Sequence, residues 1–175
     1  IIDELFAGSV LGIDIDVGYT GTITQERNLT IGSSSFVQDD GTFNQGATTF
    51  DINDGSFTVN GGAFTTATGT SNVERNFTIG ASATYTSSST KVWNFDGPNS
   101  NDNTNFNYSG TFPSVVSITK TSNSANFTLV SGVISSVDNM LSSTQILIND
   151  GTILNVADNP LSAFNLTISG QLFAS

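Results

Sequence analysis

Glu26-Arg27-Asn28-Leu29-Thr30-Ile31-Gly32 returns as Glu74-Arg75-Asn76-Phe77-Thr78-Ile79-Gly80, with the single change of Leu29 to Phe77. Shorter echoes follow at Asn126-Phe127-Thr128-Leu129 and Asn165-Leu166-Thr167-Ile168. Internal repetition of this kind is the signature of a fold assembled from stacked units. Openings at Asn28, Asn76, Asn126 and Asn165 lie 48, 50 and 39 residues apart. Each interval holds about two coils of roughly 20 to 25 residues, the size of one turn of a solenoid.

Outward from that phrase, apolar and polar residues alternate. Ile13, Ile15, Val17 and Tyr19 share one strand face and Asp14 and Asp16 the other. Gly and Asn-Asp-Gly clusters interrupt the alternation every several residues, and helix signals are nearly missing. Asp3-Glu4-Leu5-Phe6-Ala7 is the exception and reads as a short helical turn. The expected fold is all-β, a right-handed parallel β-helix of seven to eight coils, with residues 1–21 as an N-terminal cap or edge segment and 22–175 as the repeat domain. Asn28, Asn76, Asn126 and Asn165 are expected to stack as one corner ladder, and Leu29, Phe77, Phe127 and Leu166 to share one interior file. Phe57 and Trp93 join the interior, while Thr30, Thr58, Thr78, Thr128 and Thr167 face out. The alternative is a β-sandwich filament subunit in which the Asp-Gly turns are hairpins and residues 1–20 pair with a neighbour. The two differ in strand pairing, parallel against antiparallel.

Composition narrows the function. The chain has 175 residues, with 4 Lys and Arg against 15 Asp and Glu, for a formal net charge of −11. That balance argues against nucleic acid and anionic bilayers as partners. Charged residues make up only 11%, so solubility rests on hydroxyls and amides. Cys and His are both absent, which removes disulfides, thiolate metal sites and every Ser-His or Cys-His arrangement. No run approaches the roughly 18 apolar residues of a membrane span, so membrane insertion is not expected. The acidic opening Ile1-Ile2-Asp3-Glu4 reads as a mature or trimmed start. The stop at Ser175, part-way into a repeat, leads us to expect either a longer parent chain or a neighbouring subunit over that end.

With Asn28-Leu29-Thr30-Ile31-Gly32, Ser56-Phe57-Thr58-Val59-Asn60-Gly61-Gly62 and Asn76-Phe77-Thr78-Ile79-Gly80 in view, residues 22–175 resemble the right-handed parallel β-helix repeat proteins of microbial cell surfaces, adhesin-like or filament-forming. The resemblance implies an extracellular or cell-surface setting and a structural or adhesive role, with self-association end to end or side by side. Segment 98–124, longer and richer in Asn than its counterpart, departs from the pattern.

Parallel β-helices also host polysaccharide-cleaving enzymes, which need clustered acids with a basic partner or a metal. Asp51, Asp54, Asp96 and Asp150 recur at matching places near turns, as structural residues do, so no catalytic residues are assigned. A polysaccharide-binding or polysaccharide-cleaving protein is the alternative function, with glycans as partners and Tyr19, Tyr85 and Tyr108 as sugar-stacking candidates. Asp96, Asn99, Asn101 and Asp102 put carboxylate and amide oxygens into one loop, as calcium requires; the competing reading is a polar loop closed by Asx turns. Asp14 with Asp16 and Asp39 with Asp40 are weaker calcium candidates. No other cofactor is expected. Sequons at Asn28, Asn76, Asn107, Asn126 and Asn165 are glycosylation acceptors in a host that performs the reaction.

Overall fold

A computed structural model describes residues 1–3, 5–88, 90–99, 101–121, 125–140, 145–148, 152–157, 165–168 and 171–174. Among them there is no helix, and so none long and apolar enough to cross a membrane. The first coil contains β1 (Ser9–Val10), β2 (Ile13–Ile15) and β3 (Thr22–Gln25), and the second β4 (Leu29–Ile31), β5 (Phe36–Gln38) and β6 (Thr42–Gln45). The third holds β7 (Phe50–Ile52), β8 (Phe57–Val59) and β9 (Ala63–Thr66); the fourth, β10 (Gly69–Val73), β11 (Phe77–Ile79) and β12 (Thr84–Ser87). Next come β13 (Lys91–Phe95), β14 (Thr104–Phe112), β15 (Val115–Ile118) and β16 (Asn126–Ile134), of which β14 and β16 are each nine residues long. The chain then runs through β17 (Val137–Met140), β18 (Gln145–Ile148), β19 (Ile153–Ala157), β20 (Asn165–Ile168) and β21 (Gln171–Ala174).

Every ladder among these strands is parallel, which rules out the hairpin-built sandwich. Three sheets form the sides of the solenoid. The first stacks seven strands in the order β1-β4-β7-β10-β13-β15-β17; the second runs β2-β5-β8-β11-β14-β16-β18-β20, and the third β3-β6-β9-β12. Seven strands on one side enclose about six turns, slightly fewer than the seven to eight coils expected. The third sheet ends at β12. Beyond it the tails of β14 and β16 take over that side, with Thr111 and Phe112 paired to Val133 and Ile134, followed by β19 and β21.

The side length explains the register. Leu29, Phe36, Phe43, Phe50, Phe57 and Phe64 fall every seven residues, one per side, so each coil closes in 21 residues and brings Leu29 under Phe50, Phe36 under Phe57 and Phe43 under Phe64. All six are fully buried. Phe36, Phe57, Phe77 and Phe106 form a stacked file with ring centroids 5.3, 5.0 and 5.1 Å apart. Phe43, Phe64, Tyr85 and Phe112 form another. Between files the rings meet edge to face, as with Phe36 and Phe43 at 5.1 Å and 78°, an arrangement that suits the ring quadrupole. Where the first-sheet file narrows to Ser71, Trp93 of the next coil fills the space and reaches Phe50 at 6.3 Å.

The repeated phrase is thus not a single file. Leu29 lies in the first sheet, whereas Phe77, Phe127 and Leu166 lie in the second. The 48-residue recurrence is one side of seven residues followed by coils of 21 and 20, so it carries the phrase to the neighbouring side. Nor do Asn28 and Asn76 share a corner. Each plays the same local role instead, its Oδ1 accepting a backbone N–H from the next coil, Thr49 in one case and Asn105 in the other, both at 3.0 Å. Segment 98–124 contains all of β14 and β15; its extra length sits in the corner before Thr104, where Phe77 pairs with Phe106 across 29 residues rather than about 21.

Corners demand special backbone. Gly62 has φ +69°, and a Cβ there would lie 2.3 Å from the carbonyl oxygen of Gly41 in the coil before, so glycine alone fits. The opening residues make an Asx turn, with the Leu5 and Phe6 amides donating to the Asp3 side chain and carbonyl, while Glu4 of the expected helical turn lies outside the described residues. Ile2 then bridges to Gln25, and β1 and β2 pair with β4 and β5.

Candidate functional site

Ionisable groups collect at the corner where the chain leaves the first sheet for the second. Asp54 follows β7, Glu74 and Arg75 follow β10, Asp96 and Asp102 occupy the corner between β13 and β14, and Lys120 follows β15. Four consecutive coils therefore each deliver charge to one edge. Asp54 adopts φ +57°, a left-handed conformation that Asp tolerates better than most residues. Its amide donates to Glu74 Oε2 at 2.7 Å, and Arg75 Nη2 donates to its Oδ1. Asp102 is fully buried; its Oδ2 accepts the Asn99 amide at 2.7 Å, while Oδ1 accepts no hydrogen bond and has Arg75 Nε 3.9 Å away. One carboxylate oxygen each from Asp54, Glu74 and Asp102 lie within 4.8 Å of one another.

Lys120 anchors the same corner from inside. Its buried ammonium donates to the carbonyl oxygens of Glu74 at 2.8 Å and Asp96 at 2.7 Å, and to that of Asp102. Burial pulls its pKa down to about 8 against the opposing pull of Asp102, Asp96 and Glu74. Burial also raises the Glu74 carboxyl, opposed by the Asp54 amide and reinforced by Asp102, Asp54 and Asp51. The Asp96 carboxyl is pushed up to about 6 by burial and by the negative charges of Glu74 and Asp51. The corner holds more negative charge than its two cations offset.

Of the loop proposed for calcium, Asp96 and Asp102 reach this corner, whereas Asn99 contributes its backbone amide and the Asn99 and Asn101 side chains face solvent. Asp54 and Glu74, from the two preceding coils, were not linked to Asp96 in the sequence. The signal that joins them is the coil length: Asp54, Glu74 and Asp96 are spaced by 20 and 22 residues. Asp51 lies mid-strand beside Asn72 rather than at the corner, and Asp150 lies outside the described residues. Asp39 and Asp40 are engaged elsewhere, with Asn60, Gly18 and Gly41. Asn28, Asn76 and Asn107 are exposed and Asn126 is half-buried; the Asn165 side chain lies outside the described residues.

Two further arrangements have chemical potential. Lys91 Nζ donates to Ser71 Oγ at 2.6 Å, which is the geometry of a nucleophile beside a base. Both residues are fully buried, so no substrate reaches them. Burial lowers the Lys91 pKa to about 7, and the ammonium rests 5.3 Å from the Trp93 ring. The second is a groove of about 200 Å³ beside the end of the third sheet. Gly80, Ala81, Ala83, Tyr85, Tyr108 and Ser109 are among the residues that line it. The Tyr85 hydroxyl is committed to the interior, accepting from Trp93 Nε1 at 2.6 Å and bonding Ser114 Oγ at 2.9 Å, so it is the ring that lines the groove. No family model, curated protein or solved structure matches this chain.

Proposed function

We propose that the chain is a structural or adhesive element of an extracellular surface, a stiff parallel solenoid that associates with further copies of itself and performs no catalysis. The observation that carries this reading is the build of the chain: parallel sheets wound round files of aromatic rings, with Leu11 and Val17 75 and 81% exposed on the outside. Exposed apolar side chains on a rod of this kind favour association with a further copy. A surface of hydroxyls and amides with exposed sequons supports the extracellular setting. Analytical ultracentrifugation and electron microscopy over rising concentration test it. Oligomers or fibrils that dissociate in the Leu11→Lys, Val17→Lys double variant are expected, and a monomer at every concentration counts against the reading.

The polysaccharide-binding alternative draws support from the groove at Tyr85 and Tyr108, where aromatic rings beside a hydroxyl suit the apolar face and the hydroxyls of a sugar ring. Glycan-array binding lost in Tyr108→Ala would favour it, and no retention of any glycan would remove it.

A further inference from the structure

The geometry points to a site for one calcium-sized divalent cation at the corner formed by Asp54, Glu74 and Asp102. Its donor set differs from the single loop suggested by the sequence, because the three carboxylates come from three successive coils. The three oxygens all lie within 4.8 Å of one another, close enough for one cation with bonds of about 2.4 Å to reach them together. Magnesium, with bonds of about 2.1 Å, demands near-ideal octahedral geometry and sheds its water reluctantly, which suits an all-carboxylate corner less well.

An acidic cluster on its own is a solvated surface feature, but Asp102 is not on the surface. Its carboxylate is fully buried and one oxygen, Oδ1, accepts no hydrogen bond. A buried anionic oxygen without a donor is costly unless something positive meets it. Arg75 Nε stands 3.9 Å off, too far to hydrogen-bond, and the guanidinium is directed to Asp54 through Nη2. Lys120 lends charge nearby and donates to the backbone carbonyls of Glu74, Asp96 and Asp102. The oxygens left free of hydrogen bonds are Asp102 Oδ1, Glu74 Oε1 and Asp54 Oδ2. A cation held by these would share Asp54 with Arg75 and fasten coils three, four and five together, with water completing its coordination.

Calorimetric titration of calcium chloride into the whole chain tests this, with magnesium chloride and ionic-strength-matched sodium chloride as controls. One saturable calcium site per chain is expected, weaker for magnesium, together with a melting temperature that falls on adding chelator. Glu74→Gln and Asp102→Asn should each weaken binding by about tenfold or more, since affinity follows ligand charge. Asp54→Asn replaces an exposed carboxylate and provides the same readout should the buried substitution unfold the corner. Arg75→Gln should tighten binding. Absence of saturable heat in the wild type, equal affinity in the carboxylate variants, or weaker binding in Arg75→Gln overturns the site.

Discussion

Replacing Lys91 with Met should stabilise the solenoid in acid and do so less and less as pH rises. Lys91 is fully buried, and its side-chain partners are the Ser71 hydroxyl and the Trp93 face. Its pKa falls from 10.5 in the unfolded chain to about 7 in the fold. Between those values the unfolded chain binds the extra proton, so stability climbs with pH through that window, and below pH 7 the full penalty of burying the ammonium applies. At 1.36 kcal/mol per pH unit that penalty is about 5 kcal/mol, of which the wild type recovers about 3 kcal/mol between about pH 5 and about pH 9. Met keeps the unbranched shape without the charge, and Ser71 Oγ retains the Gln45 amide at 3.0 Å. Urea melts of both proteins at the two pH values measure the effect. Other titrating groups are common to both and cancel in the difference. Stability curves that run parallel with pH would refute the assignment of a buried, charge-starved lysine.

The other buried lysine should behave in the opposite sense. Lys120→Met strands carbonyls of Glu74, Asp96 and Asp102 and is expected to cost about 3 kcal/mol or more at neutral pH, read from the same melts. Phe57→Ala removes a fully buried ring that touches Phe36, Phe50, Phe64, Phe77 and Trp93, and should cost about 3 to 5 kcal/mol in chemical denaturation. Gly62→Ala should lower the melting temperature, by about 1 to 3 kcal/mol of stability from the left-handed backbone and more from the 2.3 Å contact with the Gly41 carbonyl; an unchanged melting temperature would show that the corner relaxes.

The β-solenoid was legible in the sequence because short one-faced strands and a recurring phrase leave few other ways to bury Phe57, Phe77, Phe127 and Trp93. The coil length was not, because the phrase recurs across different sides of the rod. Seven-residue spacing from Leu29 to Phe64 carried that information, and only a reading keyed to ring positions detects it. The charged corner was half visible for the same reason. Asp96 and Asp102 are near neighbours in sequence, whereas Asp54 and Glu74 join them only once the chain is wound at 20 to 22 residues per coil. Buried Gln25, Gln38 and Gln45 gave no sequence signal, since a polar residue at a strand end reads as exposed. In the fold their amides bond backbone carbonyls across the corners, Gln25 reaching both Arg27 and Thr49 at 2.8 Å.

Equal side lengths also make the fold vulnerable to one threading error. A nascent chain that winds one seven-residue face too far still sets aromatic on aromatic, because Phe36, Phe43, Phe50, Phe57 and Phe64 are interchangeable as knobs. What distinguishes the right winding from the slipped one is the corners: Gly41 and Gly62 stack where a Cβ on Gly62 would strike the Gly41 carbonyl, whereas the corner before it takes its left-handed residues as Ser35 and Asp54, which carry side chains. The rings make the rod cohere, and it is left to two small residues to keep count.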